Sequence, residues 1–480
     1  MDLITLIRAI VRGNIFAMRS RLSLTGICGC LFYVAVSMFL GGCGTNSSIS
    51  TGKGPSTYPF TSAPSYLWLQ QFGASDLYVP SGVSTFPTEI ITALATDPTG
   101  DVVASGYDLG SLNGASNPGQ IAENFVIKFN TTGAKDWAQQ FGTGSGDFLQ
   151  SVGVDTSGNI YAVGVTRGAL PGYSNPTAIP EGALYKLSSS GSLIWEQQFT
   201  IQGQYTSPFS LTVDPTGAVI IGGVFSPATD ASATNLFFQK IDGTSGSLIW
   251  QTTFGTNATD SFQKLTCDAD GEIYAIGQTT GAFPGQSTGM TSPFLIKLAG
   301  STGAQVWVSP IPVTGMSIVF PFSVVVMQNA VIIGGAASNS SVTIGSSAYV
   351  GEEGFLTEFS STNGSSTWNK VLSTGAGDAI TGVSASSGNI YATGETNGLF
   401  AAGFSQPEQD MMLLTFALDG TDLTAVQFGT GPIINQTAQI GPQIVASATG
   451  QVYVAGPVQT PFPGFSNPSN SLQLFVTRFQ

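Results

Sequence analysis

The stretch Trp137-Ala138-Gln139-Gln140-Phe141-Gly142, followed by Val154-Asp155-Thr156-Ser157-Gly158-Asn159-Ile160-Tyr161-Ala162-Val163-Gly164, decides the fold because it recurs along the chain. The six tryptophans, Trp68, Trp137, Trp195, Trp250, Trp307 and Trp368, are spaced by 69, 58, 55, 57 and 61 residues. A seventh copy, Val426-Gln427-Phe428-Gly429, lacks its Trp. Self-similarity at a fixed period means one supersecondary unit stacked many times over a shared core.

The unit can be followed strand by strand. An apolar run ends in Asp97-Pro98-Thr99-Gly100, echoed by Asp155 to Gly158, Asp214 to Gly217 and Asp268 to Gly271, with looser copies ending at Gly388 and Gly450. Asp bonds its own backbone and Gly supplies the positive φ of a tight hairpin. In the fifth copy Asn329 takes the place of Gly, and Asn tolerates that conformation. The next strand closes on Gly106, Gly164, Gly222, Gly277, Gly334, Gly394 and Gly456. A third strand, as in Phe125 to Phe129, and a short Gly turn then lead to the next Trp.

Four short strands in each of seven copies predict an all-β fold, a seven-bladed β-propeller of four-stranded antiparallel blades. The unbroken apolar run Ala218 to Val224 fits a strand covered on both faces. Separate sandwich domains need about 100 residues each, so this period is too short for them. The first Trp strand has no predecessors and the last repeat stops after its third strand. Tyr66 to Phe72 is therefore expected to be the outermost strand of the blade formed by residues 439–480, closing the ring.

The recurring pattern Trp-x-x-Gln-Phe-Gly, Val-Asp-x-x-Gly-Asn-Ile-Tyr-x-x-Gly, then apolar-Lys-Leu resembles the bacterial SBBP family of β-propeller repeats. The resemblance spans residues 66–480. Later copies depart from it, with Glu358 and Thr415 where Lys is usual. It implies a propeller of the cell envelope or a secreted one, and it implies no reaction, because fold analogy supplies no activity.

Arg19 and Arg21 precede an apolar segment, Leu31 to Leu40, that ends in Gly41-Gly42-Cys43. Such a segment reads as a targeting signal, too short for a spanning helix of about 20 residues. Its ending resembles a bacterial lipobox, which implies cleavage before Cys43 and acylation there, with palmitate or a similar chain. Residues 1–42 are then the signal peptide. Met18 gives a more typical signal length than Met1, so residues 1–17 are open to reading as a misassigned start. Ordinary secretion and a retained anchor are the competing readings. Residues 43–65, rich in Ser, Thr, Gly and Pro, read as the lipidated Cys and a flexible tether. Gly44 instead of Asp after the Cys points to the outer membrane as destination.

Removal of residues 1–42 takes away four Arg and one Asp and leaves 10 basic and 27 acidic residues, a net charge of −17. That balance argues against nucleic acid and anionic membrane surfaces as partners. Beyond Cys43 the only cysteine is Cys267, so no intradomain disulfide can form, and its apolar strand suggests an inert thiol.

The chain contains no His. The usual general base, the common zinc ligand and the Ser-His and Cys-His nucleophile pairs are all missing. Gly285-Gln286-Ser287-Thr288-Gly289 has the letters of a nucleophile elbow without the strand-to-helix turn. Asp268-Ala269-Asp270-Gly271 opens like a calcium loop, but its Gly is misplaced, and other copies use the position as a plain turn. No catalytic residue, cofactor or metal is expected, and the chain is read as a non-enzyme.

The loops between second and third strands share a phrase: Gly168-Ala169-Leu170-Pro171-Gly172-Tyr173, Gly281-Ala282-Phe283-Pro284-Gly285, and Thr460-Pro461-Phe462-Pro463-Gly464-Phe465. In an antiparallel blade these loops and those after each Trp strand fall on one face, the natural place for a binding site. Leu170, Phe283, Phe400 and Phe462 are suited to plug the blade tops. Tyr173, Phe404 and Phe465 are left as candidate contacts. Glu123, Glu181, Glu353 and Asp410 fall just before third strands on the same face, and two readings apply: a dispersed ring of cation ligands, or anchors for neighbouring loops.

The expected function is a monomeric envelope lipoprotein, held to the membrane by its N-terminal lipid, whose propeller head binds an extracellular or periplasmic polymer, glycan or protein. The alternatives are a carbohydrate-active lyase or hydrolase in the propeller mouth, which for a hydrolase needs two acids within about 5–10 Å, and a structural platform for envelope assembly.

Overall fold

The computed structural model describes residues 66–72, 89–110, 121–227, 233–256, 258–281, 292–339, 352–399, 410–429, 441–458, 461–465 and 473–479. Cys43, the signal segment, the tether, Phe283, Phe400 and Phe404 lie outside them. The described residues form seven four-stranded antiparallel sheets and no helix.

Blade one comprises Glu89–Thr96, Val102–Asp108, Glu123–Phe129 and Lys135–Phe141. Blade two follows as Asp147–Val154, Ile160–Thr166, Glu181–Leu187 and Leu193–Phe199, and blade three as Tyr205–Val213, Val219–Ser226, Asn235–Ile241 and Leu248–Phe254. Blade four runs Asp260–Cys267, Ile273–Thr279, Ser292–Leu298 and Gln305–Pro310, and blade five Ile318–Met327, Ala330–Ser338, Glu353–Ser360 and Ser366–Leu372. Blade six is Asp378–Ser386, Asn389–Thr396, Asp410–Ala417 and Asp422–Phe428. Blade seven pairs Gln443–Ala446, Val452–Val458 and Gln473–Phe479 with Tyr66–Phe72 as its outer strand. The expected closure is thus present, with Trp68 opposite Arg478 and Phe72 opposite Leu474. First strands of successive blades touch one another around the whole ring, blade seven against blade one included.

Two irregularities recur and adapt a flat ladder to this ring. In all seven outer strands the register slips by one residue just before the Trp position, at Leu67, Asp136, Ile194, Ile249, Val306, Thr367 and Leu423. A bulge re-aims the residues around it. The bulged residue is exposed in every blade, while each Trp is half-buried against its neighbour. A second slip sits in the first strand of blades one to six, as between Ile91 and Ala93. It sets the close approach of the second strand, where a Cβ on Gly106 would fall on the carbonyl oxygen of Ile90. Register corrects the expected series here. Gly223 and Gly335, not Gly222 and Gly334, occupy this place in blades three and five, facing Pro208 and Pro321.

Five of the six Trp rings lie on the third-to-fourth-strand Gly of the next blade: Trp68 on Gly133, Trp137 on Gly191, Trp250 on Gly303, Trp307 on Gly364 and Trp368 on Gly420. These glycines hold φ between 70° and 86°, and a Cβ there would run into the indole. The indole N–H then donates to a carbonyl of the same turn: Trp68 to Thr131 at 2.9 Å, Trp137 to Ser189 at 3.0 Å, Trp250 to Gly300 at 3.1 Å, Trp368 to Leu418 at 3.3 Å. The consensus Tyr and Lys also reach forward by one blade. Tyr161 and Lys186 both donate to Gly243 O, and Tyr274 and Lys297 to Ser361 O. Tyr453 and Arg478 of blade seven donate to Gly100 O and Thr131 O of blade one.

Replacing Trp137 with Ala should cost about 3 kcal/mol, the scale of losing a large packed aromatic. Gly191→Ala should also destabilise, because it adds both positive-φ strain and a clash with the indole. Chemical denaturation of the full-length chain reads both losses.

Candidate ligand face

The loop of residues 167–180 in blade two is described in full and carries Tyr173. Leu170, Pro171, Gly172 and Tyr173 make a tight turn, with Tyr173 N–H donating to Leu170 O at 2.9 Å and Gly172 at φ 83°. The same turn recurs from Phe462 to Phe465, with Gly464 at φ 92°. Gln198 of the outer strand fixes the first copy, accepting from Leu170 N–H at 2.8 Å and donating to Gly168 O at 2.9 Å. Gln71 accepts from Phe462 N–H at 2.9 Å in the second. Asn175 staples the far side by donating to Ile179 O and accepting from Ile179 N–H.

Leu170 and Phe462 are buried plugs, as expected. Tyr173 stands 42% exposed on its pinned loop. Phe465 is half-buried and packs on the blade-seven cluster with Phe462 and Phe475, so it is a weaker contact than its sequence position suggests. Both positions follow a Pro-Gly turn, and the difference lies in what each loop covers.

The four acids sit one residue further along than the sequence reading placed them. Glu123, Glu181, Glu353 and Asp410 are the first residues of third strands, not residues before them, each in ladder register with the end of its second strand. Three are tied to the consensus Gln of the outer strand: Gln140 donates to Glu123 at 3.2 Å, Gln198 to Glu181 at 2.7 Å and Gln427 to Asp410 at 2.9 Å. The same Gln side chains hold the loop above, through Gly110 O, Gly168 O and Gly398 O. Among the described residues no three acids or thiols gather to hold a metal. Strand-top anchoring is the role the geometry gives Glu123, Glu181 and Asp410.

A second set of acids opens inner strands and was not singled out in the sequence. Asp147, Asp260 and Asp378 accept from the backbone N–H and hydroxyl of Thr143, Thr256 and Thr374, and Asp378 also from Thr396. Their signal was the spacing Thr-x-x-x-Asp after the outer strand. Burial raises the Asp147 and Asp378 carboxyls, and Glu353 beside Asp378 adds to the latter. Glu123 is raised by burial and by Asp147 across the seam. Burial pushes Asp108 up to about 7, against a Gly110 backbone hydrogen bond and with help from Glu123, and burial alone pushes Glu352 up to about 7.

Lys264 departs from the serines that three other blades place just after the first-strand slip. At its position Ser151, Ser210 and Ser323 accept the N–H of Leu211, Leu265 and Val383 in the next blade. A Lys cannot accept, its ammonium makes no hydrogen bond or ion pair among the described residues, and desolvation pushes its pKa down.

With this geometry in place, the chain defines itself as a seven-bladed β-propeller. Residues 136–170, which run from the outer strand of blade one into the loop of blade two, match the family model of the SBBP beta-propeller repeat. No curated protein matches the chain. Among solved structures it is similar to the WD40 domain of Neurospora crassa Pan2, at 9% identity over 87% of this chain and 97% of that one, TM-score 0.47. It is also similar to the Dos1 propeller, at 9% identity over 82% and 94%, TM-score 0.43. The propeller domain of the Trilobed protease from Pyrococcus furiosus is a third, at 10% identity over 82% and 94%, TM-score 0.44.

Two outcomes follow from these buried charges. Groups with raised carboxyl pKa values stabilise the fold fully below their unfolded value and lose that contribution as pH rises through the folded one. The thermal midpoint should therefore fall between about pH 5 and pH 8, and Asp108→Asn and Glu352→Gln should each flatten that fall. The lowered carboxyls of Asp97, Asp155 and Asp214 act the opposite way and only below about pH 4. Lys264→Ser should stabilise the chain by about 1 kcal/mol by supplying the missing acceptor, read by denaturant titration at neutral pH.

Proposed function

We propose that this protein is a cell-envelope lipoprotein whose propeller head is a binding module for an extracellular or periplasmic polymer or protein. One observation carries the binding reading. The recurring polar residues of the repeat are spent on joining blades and anchoring loops, whereas Tyr173 is a large exposed aromatic on a loop held at both ends. A rigid loop that presents an aromatic side chain meets a partner with little ordering cost. The head is read as monomeric and non-catalytic, with no cofactor. The lipid at Cys43 rests on the Leu40-Gly41-Gly42-Cys43 ending, and the outer-membrane address on Gly44 in place of Asp after it.

Cells expressing the full-length chain and fed an alkynyl palmitate analogue should label it, and Cys43→Ser should remove the label. Thermal unfolding of the full-length protein against glycans, peptidoglycan fragments and divalent cations tests the head. A ligand at 100 times its Kd adds about 2.7 kcal/mol of stability. A shift from one class that disappears in Tyr173→Ala supports the loop face as a binding surface. No shift across the panel favours a protein platform, and capture from envelope fractions with wild type and Tyr173→Ala then decides it.

A further inference from the structure

The seam between blades two and three departs from the repeat. A cavity of about 230 Å³ lies between the outer strand of blade two and the third and outer strands of blade three. Phe199, Ile221 and Leu248 give it apolar walls, and Gln197, Gln239 and Gln251 line it with amides. All six lie on strands, apart from the loop that carries Tyr173, and no charged group lines the cavity. Leu248 is 53% exposed, so the cavity opens to solvent at the flank of the ring.

Gln239 is the decisive side chain. It is only 5% exposed, its Nε2 donates to Gln251 Oε1 at 2.9 Å, and its Oε1 is buried without a hydrogen-bond partner. If the amide were turned over, the free atom would be the donor instead, and one polar atom of this cavity-lining residue would still be unpaired. In the outer strand of blade two, two residues before Gln197, the indole N–H of Trp195 reaches no acceptor, a property shared only with Trp307 among the six tryptophans. A buried amide left unpaired costs about 1–3 kcal/mol, which a hydroxyl from outside removes.

We propose that this seam binds one uncharged, hydroxyl-bearing ring, a neutral sugar unit. The Phe199 ring, seated over Gly182, and the aliphatic walls suit the C–H faces of such a ring, while three amides offer both donors and acceptors to its hydroxyls. A charged ligand would shed its hydration with no counter-charge to meet it. A purely apolar side chain would leave Gln239 unpaired. The cavity is smaller than the roughly 300–1,000 Å³ of drug-sized pockets, which fits a single ring.

Ligand-observed NMR titrations of the full-length protein test this with D-glucose, D-galactose, D-mannose, N-acetyl-D-glucosamine and, as the apolar comparator, N-acetyl-leucinamide. At least one sugar should saturate. Gln239→Leu should weaken that sugar about tenfold, the scale of one lost hydrogen bond, with an unchanged or higher thermal midpoint. Gln251→Ala should weaken it as well, and Tyr173→Ala should leave it unchanged. Because Tyr173 belongs to the loop face alone, failure of that face and failure of this seam give different results. The proposal is overturned if no sugar saturates, if sugar binding survives both Gln variants, if Tyr173→Ala alone abolishes it, or if N-acetyl-leucinamide binds and the sugars do not.

Discussion

The ring depends on an indole lying on a glycine. Each Trp of an outer strand packs on the third-to-fourth-strand turn of the following blade, and in four seams its N–H also donates to that turn. A ring of blades has no central element to hold it, so every seam must carry its own share of burial and direction. The indole supplies apolar area and one donor in a single side chain, and the glycine supplies the space and the left-handed backbone it needs. Loss of the Trp in copy seven leaves Thr424 facing Thr415 in blade six. The seam from blade six to blade seven relies instead on Phe428 and Tyr66, packed edge to face at 6.2 Å.

The acids, amides, Tyr and Lys follow the same logic. A side chain that recurs in most copies is there for what every copy must do, which is to dock on the next blade or to hold its own loop. Gln198 holds Glu181 and the backbone around Leu170 together, and Tyr161 and Lys186 converge on one carbonyl of blade three. Function has to be sought where copies differ. Tyr173, Lys264 and the seam around Gln239 are such places: a projecting aromatic, an unpaired ammonium and an unpaired amide. An unpaired buried polar atom such as Gln239 Oε1 is costly.

Much of this was legible in the sequence because repetition averages over noise. One copy of an apolar strand is ambiguous, but seven copies in register fix the strand count, the blade count and the closing role of Tyr66 to Phe72. The turn residues were equally plain, since Asp and Gly act through their own backbone. Less legible were the bulges. Nothing in Leu193-Ile194-Trp195 says that Ile194 is looped out, because the slip appears only when Lys186 is seen to pair with Trp195 and Leu187 with Leu193. The slips in the first strands were just as hidden, and with two adjacent glycines in blades three and five only the pairing with Pro208 and Pro321 shows that Gly223 and Gly335 hold the place of Gly106.

The sequence by itself determined the architecture, because period, turn chemistry and apolar runs are local or repetitive properties. It also determined the net acidity and the absence of His. Only the tertiary structure decided which polar groups are spent and which are free. Glu123 and Glu181 read as candidate ligands until Gln140 and Gln198 were seen to hold them. Gln239 drew no notice until its partners could be counted. Satisfaction of these polar atoms depends on the facing strand of the same blade, 12 to 17 residues away, and on how the bulged outer strand turns its side chains, which no local pattern records.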